Sequence, residues 1–381
     1  MHILLCEPYF AGSHRAWAEG YARYSRHQVT LLTHAGRFWK WRMQGAALTL
    51  ARAARSLVAR DGPPDLLLVT DMLHLPAFLG FTRRFLGDPP VALYMHENQL
   101  TYPPPPGTKP DLTYAMINWL SMAAADRIFF NSAYHQAVFF EALPRLLKHF
   151  PDYTHTALIE EVAARCEVLP VGVDLRRLDG PCPDRAEGPA VILWNQRWEY
   201  DKDPATFFAA LYRLADEGLP FRLILAGENF RRSPQEFEEA RERLADRLLH
   251  FGYAKPEVYP CLLRQADVVV STAQQEFFGV AVVEAVYAGA FPILPRRLTY
   301  PGLIPLAYHD RCLYDDLEGL VTRLRWAVTH RESARAIARA LRPTVASYGW
   351  AELAPRYDER LAALRRAGEG LSSPASHPPA G

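Results

Sequence analysis

Two glutamates, Glu276 and Glu284, flank an apolar run within QQEFFGVAVVEAVYAGAFPIL at 274–294. The preceding DVVVS predicts a strand, 272–279 a loop, and VAVVEAVYAG a helix that ends at Gly289. We therefore expect Glu276 on a loop after a strand and Glu284 in the second turn of a helix. Two glutamates at this spacing are more often a surface residue and the partner of a nearby arginine. Whether Glu276 and Glu284 bind a ligand therefore has to be judged from the neighbouring motifs.

The segment between the glutamates offers groups for phosphate and for hydroxyls. Phe277, Phe278 and Gly279 present backbone N–H groups next to a helix N-terminus, which attracts anions such as phosphate. Gly279 lets a ligand approach the backbone closely. A carboxylate accepts paired hydrogen bonds from vicinal hydroxyls. Together these groups predict a nucleotide sugar as ligand.

Two cations follow the predicted strand AVILWN, in the loop NQRWEYDKDP. Arg197 and Lys202 at the carboxyl end of a strand can stabilise the charge that develops on a diphosphate leaving group. The alternative is a solvated basic loop whose cations pair with Glu199 and Asp201.

Two further strand ends in this half carry weaker signals. LAGENF contains Gly227 and Glu228, and HFGYAK contains Phe251, Gly252 and Tyr253. In a nucleotide-binding domain these loops would meet the base and the ribose.

The first predicted strand leads into EPYFAGSHRAW at 7–17. Gly12 and Ser13 begin a helix there, so their amides can face donor phosphates. His14 either points toward the ligands, where it would contact the acceptor, or caps the helix locally, which is the commoner role of a lone histidine.

Other polar groups follow later strands of the first half. His96, Glu97 and Asn98 follow VALYM in MHENQLTYP, where we expect ligand contacts, and Asn131 and Ser132 follow RIFF. Asn131 and Ser132 would contact the acceptor, or they simply cap the next helix.

The segment GRFWKWRMQ at 36–44 interleaves aromatic and basic residues. Trp39, Lys40, Trp41 and Arg42 suit stacking on unpaired bases and contact with phosphates. The alternative is that both tryptophans pack into the core between two domains.

Short apolar runs covered on both faces alternate with helical stretches such as 113–125 and 133–148, which predicts parallel sheets. The predicted strands are 2–6, 28–32, 65–69, 91–95, 127–130 and 166–170, then 190–195, 221–227, 248–252, 267–271 and 291–294.

The composition of 179–190, DGPCPDRAEGPA, is typical of an exposed hinge. The predicted organisation is an N-terminal Rossmann-like acceptor domain at 1–178, a linker at 179–189, a C-terminal Rossmann-like nucleotide-sugar domain at 190–345, a helix at 346–366 that can pack back on the first domain, and a disordered tail at 367–381. Ligands of such α/β sheets bind at the carboxyl ends of the strands, in a cleft.

Composition excludes several classes of protein. Lysine plus arginine number 43 against 42 acids, a net charge of +1, which argues against a general nucleic-acid binder but allows a local basic patch. No apolar run is long enough for a membrane span, and the N-terminus lacks the basic region of a signal peptide. The cysteines form no CxxC pair, which predicts free thiols in a reducing cytoplasm. They are Cys6, Cys166, Cys182, Cys261 and Cys312.

Taken together, these motifs resemble the GT-B glycosyltransferases of the family-4 type, over most of the chain and in the family's order. The resemblance implies a GT-B fold of two Rossmann-like domains that face each other across a cleft. It also implies retention of anomeric configuration and no obligatory metal or other cofactor. Arg197 and Lys202 would hold the diphosphate, Glu284 the ribose, and Glu276 with the three following amides the donor sugar. His96 would contact and orient that sugar.

Within that family the chain is similar to the tRNA-queuosine α-mannosyltransferase group. The matching motifs are AGSH (11–14), WKWR (39–42), MHENQLTYP (95–103), FNS (130–132), RWEYDKDP (197–204) and EFFGVAVVEAVYAG (276–289). This implies transfer of mannose from GDP-mannose to the cyclopentenediol of queuosine in the anticodon loop of tRNA. The tryptophan–arginine segment agrees with a single-stranded loop as acceptor.

Two alternatives stay open. One is a GT-B glycosyltransferase that uses another nucleotide sugar on a small molecule, a lipid or a polysaccharide. The other is a catalytically inactive module that binds sugar nucleotides or tRNA, although such a module would not need leaving-group cations. The oligomeric state is not predicted.

Overall fold

Each half of the chain builds a six-stranded parallel sheet in the computed structural model, which describes residues 1–104, 107–183, 185, 187–227 and 235–371. The first sheet contains β1 (His2–Phe10), β2 (Gln28–Ala35), β3 (Leu66–Thr70), β4 (Val91–Met95), β5 (Arg127–Phe130) and β6 (Cys166–Val168). The second contains β7 (Ala190–Trp194), β8 (Phe221–Ala226), β9 (Leu248–Gly252), β10 (Val268–Val270), β11 (Phe291–Pro295) and β12 (Leu313–Tyr314). The strand orders are β2-β1-β3-β4-β5-β6 and β12-β11-β10-β7-β8-β9.

Helices connect the strands. Those of the first half are α1 (Gly12–Tyr24), α2 (Trp39–Asp61), α3 (Leu75–Thr82), α4 (Leu112–Ala124), α5 (Ala133–Leu147) and α6 (Ile159–Ala163). Those of the second half are α7 (Pro204–Asp216), α8 (Gln235–Arg243), α9 (Tyr259–Gln265), α10 (Val280–Tyr287), α11 (Tyr300–Leu303), α12 (His309–Cys312), α13 (Leu317–Thr329), α14 (Arg331–Ala346) and α15 (Trp350–Leu371). Short 3₁₀ turns lie at Thr156–Leu158, Leu175–Leu178, Tyr200–Lys202, Ala245–Arg247 and Leu306–Tyr308.

The chain divides into two units. The first contains Met1–Tyr102, Pro110–Gly172 and the chain from Trp350 onward, and the second contains Pro103–Lys109 and Val173–Gly349. Strands β3, β4 and β5 are almost entirely buried, as expected for strands covered on both faces.

Helix α15 belongs to the first unit and packs on α1. The Tyr21 hydroxyl donates to Asp358 (2.9 Å), and Trp17 Nε1 donates to the hydroxyl of Tyr357 (3.1 Å). The helix continues to Leu371, into the tail predicted at 367–381, whose residues from 372 on lie outside the described part of the chain.

Every predicted strand overlaps an observed one, and the alternation of strands and helices is confirmed. The two-residue strand β12 was not predicted, because it is too short for a periodic signal. The expectation of free thiols was wrong for Cys182 and Cys261, which form a disulfide across 79 positions. Such a pairing depends on the fold and leaves no spacing signal. Among the described residues, no helix has the length and apolar character to cross a membrane.

Candidate functional site

Loops after three neighbouring strands meet in the second unit. The amide of Gly227, after β8, donates to the carbonyl of Gly252 at the end of β9 (3.1 Å). A Cβ at Gly227 would lie 2.3 Å from Trp198 Nε1, so the loop after β7 passes directly over this glycine. Glu228, the other residue predicted here, lies outside the described residues.

Lys202 joins the loop after β7 to the loop after β10. Its buried ammonium donates to the carbonyl of Gln275 (2.7 Å) and lies 3.3 Å from Asp201 Oδ2 and 3.4 Å from Glu276 Oε2. The Thr272 hydroxyl donates to the carbonyl of Lys202 (2.8 Å) and holds the two loops together. The structure thus brings the predicted leaving-group cation to the predicted sugar carboxylate.

Glu276 also occupies the amides that were expected to face a ligand. Its Oε1 accepts hydrogen bonds from the N–H groups of Gly279 (3.1 Å) and Phe278 (3.3 Å). The side chains of Phe277 and Phe278 are buried and anchor this turn. Gly279 has φ +93°, a conformation that favours glycine, and α10 begins directly after it. A phosphate that binds these amides would have to displace the Glu276 carboxylate or share the N–H groups with it.

Glu284 has an arginine partner, as in the alternative that the sequence left open. Arg177 donates to Glu284 Oε1, and the Tyr259 hydroxyl donates to Oε2 (2.9 Å). Burial and the nearby Glu284 charge raise the pKa of Tyr259 well above its usual range, so this hydroxyl keeps its proton. The sequence identified neither residue as the partner, because Arg177 and Tyr259 lie 107 and 25 positions away from Glu284.

Arg197 pairs with Glu199 (3.2 Å) and is about half exposed. This pairing agrees with the alternative of a solvated basic loop whose cations pair with neighbouring acids. Near it, the Phe251 ring contacts the ring of Trp198 (centroids 4.8 Å apart), and the Tyr253 side chain is exposed. Phe251 therefore packs within the unit, whereas Tyr253 is accessible to a ligand.

Buried polar atoms gather at the same strand ends. Asn195 Oδ1, Gln196 Oε1 and Gln275 Nε2 are buried without a hydrogen-bond partner among the described residues. Buried polar atoms in proteins are nearly always hydrogen-bonded, so these three atoms mark a place for ligand or water. Sequence reasoning assigned them no role, although all three lie inside the sequence segments that carry the predicted donor-site residues.

In the first unit, Glu7 in the carboxyl-terminal half of β1 and His14 in the first turn of α1 form a buried pair. His14 Nδ1 lies 2.9 Å from Glu7 Oε2, and Glu7 Oε1 accepts from the amide of Tyr9 (2.7 Å). Burial disfavours the charged imidazole, but the Glu7 charge and hydrogen bond outweigh it and raise the pKa of His14 to about 9. Gly12 and Ser13 are exposed at the N-terminus of α1. Glu7 was missed, and its signal was an acid inside an apolar strand.

His96 lies beside this pair. Its backbone amide donates to Asp71 Oδ1 (2.8 Å), and its ring lies 4.2 Å from that of His14. Burial raises the pKa of Asp71 well above its usual range and lowers that of His96 well below it. His96 Nε2 and Asp71 Oδ2 are buried without a hydrogen-bond partner among the described residues, as expected for groups that await ligand hydroxyls.

The neighbouring predicted residues mostly shape the backbone. Asn131 donates to the carbonyl of His96 (2.7 Å), and Ser132 accepts from the amide of His135 (3.0 Å) as the N-cap of α5. Buried Asn98 accepts from the amides of two following residues and forms a turn, while Glu97 accepts from a side-chain amide (2.8 Å). The structure shows these local roles, and acceptor contacts by these residues stay a prediction.

The two tryptophans of the segment at 36–44 differ in exposure. The Trp39 ring packs against Tyr114 (centroids 5.0 Å apart) within the first unit, whereas Trp41 is exposed. Lys40 is exposed, with Nζ 3.9 Å from Asp111, and Arg42 donates to a backbone carbonyl of β2 (3.1 Å). Trp39 therefore packs, partly buried, within the first unit, and the exposed Trp41 does not follow the core-packing alternative.

Glu7, His14 and His96 are the residues in the described part of the chain that could hold a metal ion, with ligand atoms within 4.8 Å of one another. The Glu7–His14 hydrogen bond satisfies two of these atoms without a metal.

Both halves of the chain match known families. Residues 2–173 match the family described as tRNA-queuosine alpha-mannosyltransferase N-terminal, and residues 183–342 match Glycosyl transferases group 1. The tRNA-queuosine alpha-mannosyltransferase of Drosophila melanogaster is 31% identical over 313 residues, which are 80% of this chain and 82% of that protein. GDP-mannose:cellobiosyl-diphosphopolyprenol alpha-mannosyltransferase of Xanthomonas campestris is 27% identical over 212 residues, 53% of this chain and 54% of that protein.

Solved structures share the fold across both halves. Sucrose-phosphate synthase from Thermosynechococcus elongatus has a TM-score of 0.71 and 16% identity, covering 96% of this chain and 100% of that one. Anabaena HepE in complex with UDP has a TM-score of 0.70 and 16% identity, covering 95% and 100%. The predicted GT-B fold is confirmed.

Proposed function

The chain belongs to the tRNA-queuosine alpha-mannosyltransferase family and is a glycosyltransferase, and we propose that it transfers mannose from GDP-mannose to the cyclopentenediol of queuosine in tRNA. The acceptor is supported by the Drosophila relative and the donor by the Xanthomonas relative, whose names state queuosine and GDP-mannose. A tRNA acceptor favours a cytoplasmic location, although the Cys182–Cys261 disulfide is a bond rarely found there.

The observation that carries the donor site is the contact between Lys202 and Glu276. Lys202 and Arg197 would stabilise the departing diphosphate, and Glu276 would bind the sugar. Glu284 would bind the ribose, because a carboxylate has about four acceptor positions and Arg177 and Tyr259 leave some of them open.

In the proposed reaction, the bond from the anomeric carbon to the diphosphate breaks while the acceptor hydroxyl attacks from the same face, so the configuration is retained. The acceptor proton passes to the departing oxygen, where negative charge develops. His96 Nε2 and Asp71 Oδ2 would bind sugar hydroxyls, since both are buried and lack partners in the described chain. No metal is needed, because the two cations supply the positive charge.

The test is a donor panel of GDP-mannose, UDP-glucose, UDP-galactose and UDP-N-acetylglucosamine with queuosine-containing tRNA, followed by mass spectrometry of the digested nucleosides. The control is the same tRNA with guanosine in place of queuosine. We expect a hexose on queuosine from GDP-mannose alone, removable by an α-mannosidase and formed equally in the presence of EDTA. Hydrolysis of the donor without a mass increase of any nucleoside would support a sugar transferase and would overturn tRNA as the acceptor.

A further inference from the structure

Two aromatic rings face solvent at the start of α2. The Phe38 side chain is 77% exposed and that of Trp41 is 62% exposed. Single exposed hydrophobic residues are common, but two large rings within one helical turn leave an unusual apolar area in water. Trp39, between them, packs against Tyr114 in a cluster with Met72.

The fold gains little from a phenylalanine at position 38. Phe38 has φ 54° and ψ 55°, in the left-handed region that asparagine and glycine tolerate and that a bulky residue occupies at a cost. Its side chain has no atom that could cap α2, and its exposed ring offsets none of the strain by burial. Strained residues of this kind concentrate at binding sites.

A cavity of about 250 Å³ adjoins the Trp41 ring. It is lined by His34, Ala35, Trp41, Arg42, Gly45, Ala46 and Thr49. The Trp41 ring lies against Gly45, where a Cβ would come within 2.8 Å of ring atom Cζ2. The volume is below the roughly 300–1,000 Å³ of pockets for drug-sized ligands, which suits a single planar ring.

Basic residues lie in the same segment as the rings. They are Arg37, Lys40 and Arg42, with Asp111 3.9 Å from the Lys40 ammonium. The patch therefore has an excess of positive charge, although the whole chain has a net charge of only +1.

Rings interleaved with cations favour RNA over a protein partner. Unpaired bases stack on flat exposed rings and phosphates pair with the cations, whereas the centre of a protein interface is depleted of charge. Through Trp39 the patch shares a cluster with Tyr9 and Met72, which directly follow the Glu7 and Asp71 region of the site.

We propose that Phe38 and Trp41 form a stacking platform for unpaired nucleotides of an RNA, with Arg37 and Lys40 on its phosphates and Trp39 as a packed support. The identity of that RNA as the acceptor rests on the proposed function. The platform itself does not, because RNA binding can be measured without a donor.

The experiment measures the Kd of the whole protein for an anticodon stem–loop RNA and for a duplex RNA of equal length. The variant is Phe38→Asn combined with Trp41→Ser. The matched control is Tyr153→Asn, because Tyr153 is 89% exposed, has φ 43°, and lies between β5 and β6, at the other edge of the first sheet.

We expect the double variant to bind the stem–loop about tenfold more weakly, by the loss of base stacking, with the salt dependence unchanged. Arg37→Gln should instead reduce the salt dependence. Tyr153→Asn should bind like the wild type, and Phe38→Asn alone should melt no lower than the wild type, since asparagine tolerates this backbone. Equal binding by the double variant, or equal wild-type affinity for duplex and stem–loop, would overturn the platform.

The two hypotheses fail separately. If the wild type and the double variant at Phe38 and Trp41 modify tRNA at the same rate, the platform alone is overturned. One that binds stem–loop RNA through these rings but adds no sugar to tRNA overturns the proposed function alone.

Discussion

The ammonium of Lys202 lies 3.4 Å from Oε2 of Glu276, across 74 positions of sequence. The predicted diphosphate cation and the predicted sugar carboxylate are therefore one electrostatic unit. Asp201 and the Gln275 carbonyl complete the surroundings of the buried ammonium. A donor would bind to groups that are already paired, so substitution of either residue changes the charge that the other presents.

Removal of the Lys202 ammonium should disable the chemical step. We expect Lys202→Met to lower the single-turnover rate of sugar transfer about 10²–10³-fold, the range found when one preorganised charge-stabilising donor is lost. It should also lower the free energy of unfolding, because Asp201 loses a buried partner. Lys148→Met, at an exposed lysine, is the control. A rate within threefold of the wild type would contradict the assigned role.

The Tyr259 hydroxyl should position Glu284 for the donor. Tyr259→Phe removes the donor of the 2.9 Å hydrogen bond to Oε2 and the acceptor of a 3.1 Å hydrogen bond from Asn195 Nδ2. The loss of the bond to Oε2 weakens binding by up to about tenfold. We expect a higher KM for the nucleotide sugar with kcat little changed. Tyr287→Phe removes a comparable bond to Asp179 on an exposed surface and should leave KM unaltered. Equal KM values in the two variants would exclude this positioning role.

The Glu7–His14 pair should make stability depend on pH in the alkaline range. The folded pKa of His14 is raised from 6.5 to about 9, so its contribution is fully present below about pH 6.5 and lost as pH rises through 9. That contribution is on the order of 3 kcal/mol for a fully buried group. Asp71 and Glu97 also face His14 and act on its pKa in the same direction, by raising it.

Glu7→Gln should abolish most of this dependence. Unfolding free energies measured from pH 6 to 10 should converge for wild type and Glu7→Gln at the alkaline end and differ most near pH 6. Glu19→Gln, which removes an exposed ion pair on the same helix, should follow the wild-type curve. Parallel curves for wild type and Glu7→Gln would show that the pair does not titrate in this way.

Gly279 should tolerate no side chain. At φ +93°, alanine costs roughly 1–2 kcal/mol from the backbone alone, although its Cβ would only touch Tyr300 at 3.4 Å. We expect Gly279→Ala to lower the melting temperature and to impair donor binding by shifting the amides around Glu276. Gly302→Ala, in α11, has room for the Cβ and should do neither. Unimpaired donor binding by a folded Gly279→Ala variant would argue against close ligand approach.

The sequence by itself determined the succession of strands and helices along the chain and the polar residues that follow the strands. Apolar runs and helix signals are local, so β4, β5 and β9 were predicted with their observed bounds and α10 began directly after Gly279 as predicted. The order of the motifs around Arg197, Lys202, Glu276 and Glu284 also indicated the family before any contact was known.

Only the tertiary structure decided which groups are partners. Arg177 with Glu284 and Cys182 with Cys261 are separated by 107 and 79 positions, and a pattern with a period of two to four residues holds no information at such distances. The same limit applies to Trp39 and Trp41, because the sequence pattern does not predict that their exposure differs. Both have the same local composition, and only the packing of α2 against Tyr114 partly buries the Trp39 ring and leaves the Trp41 ring in solvent.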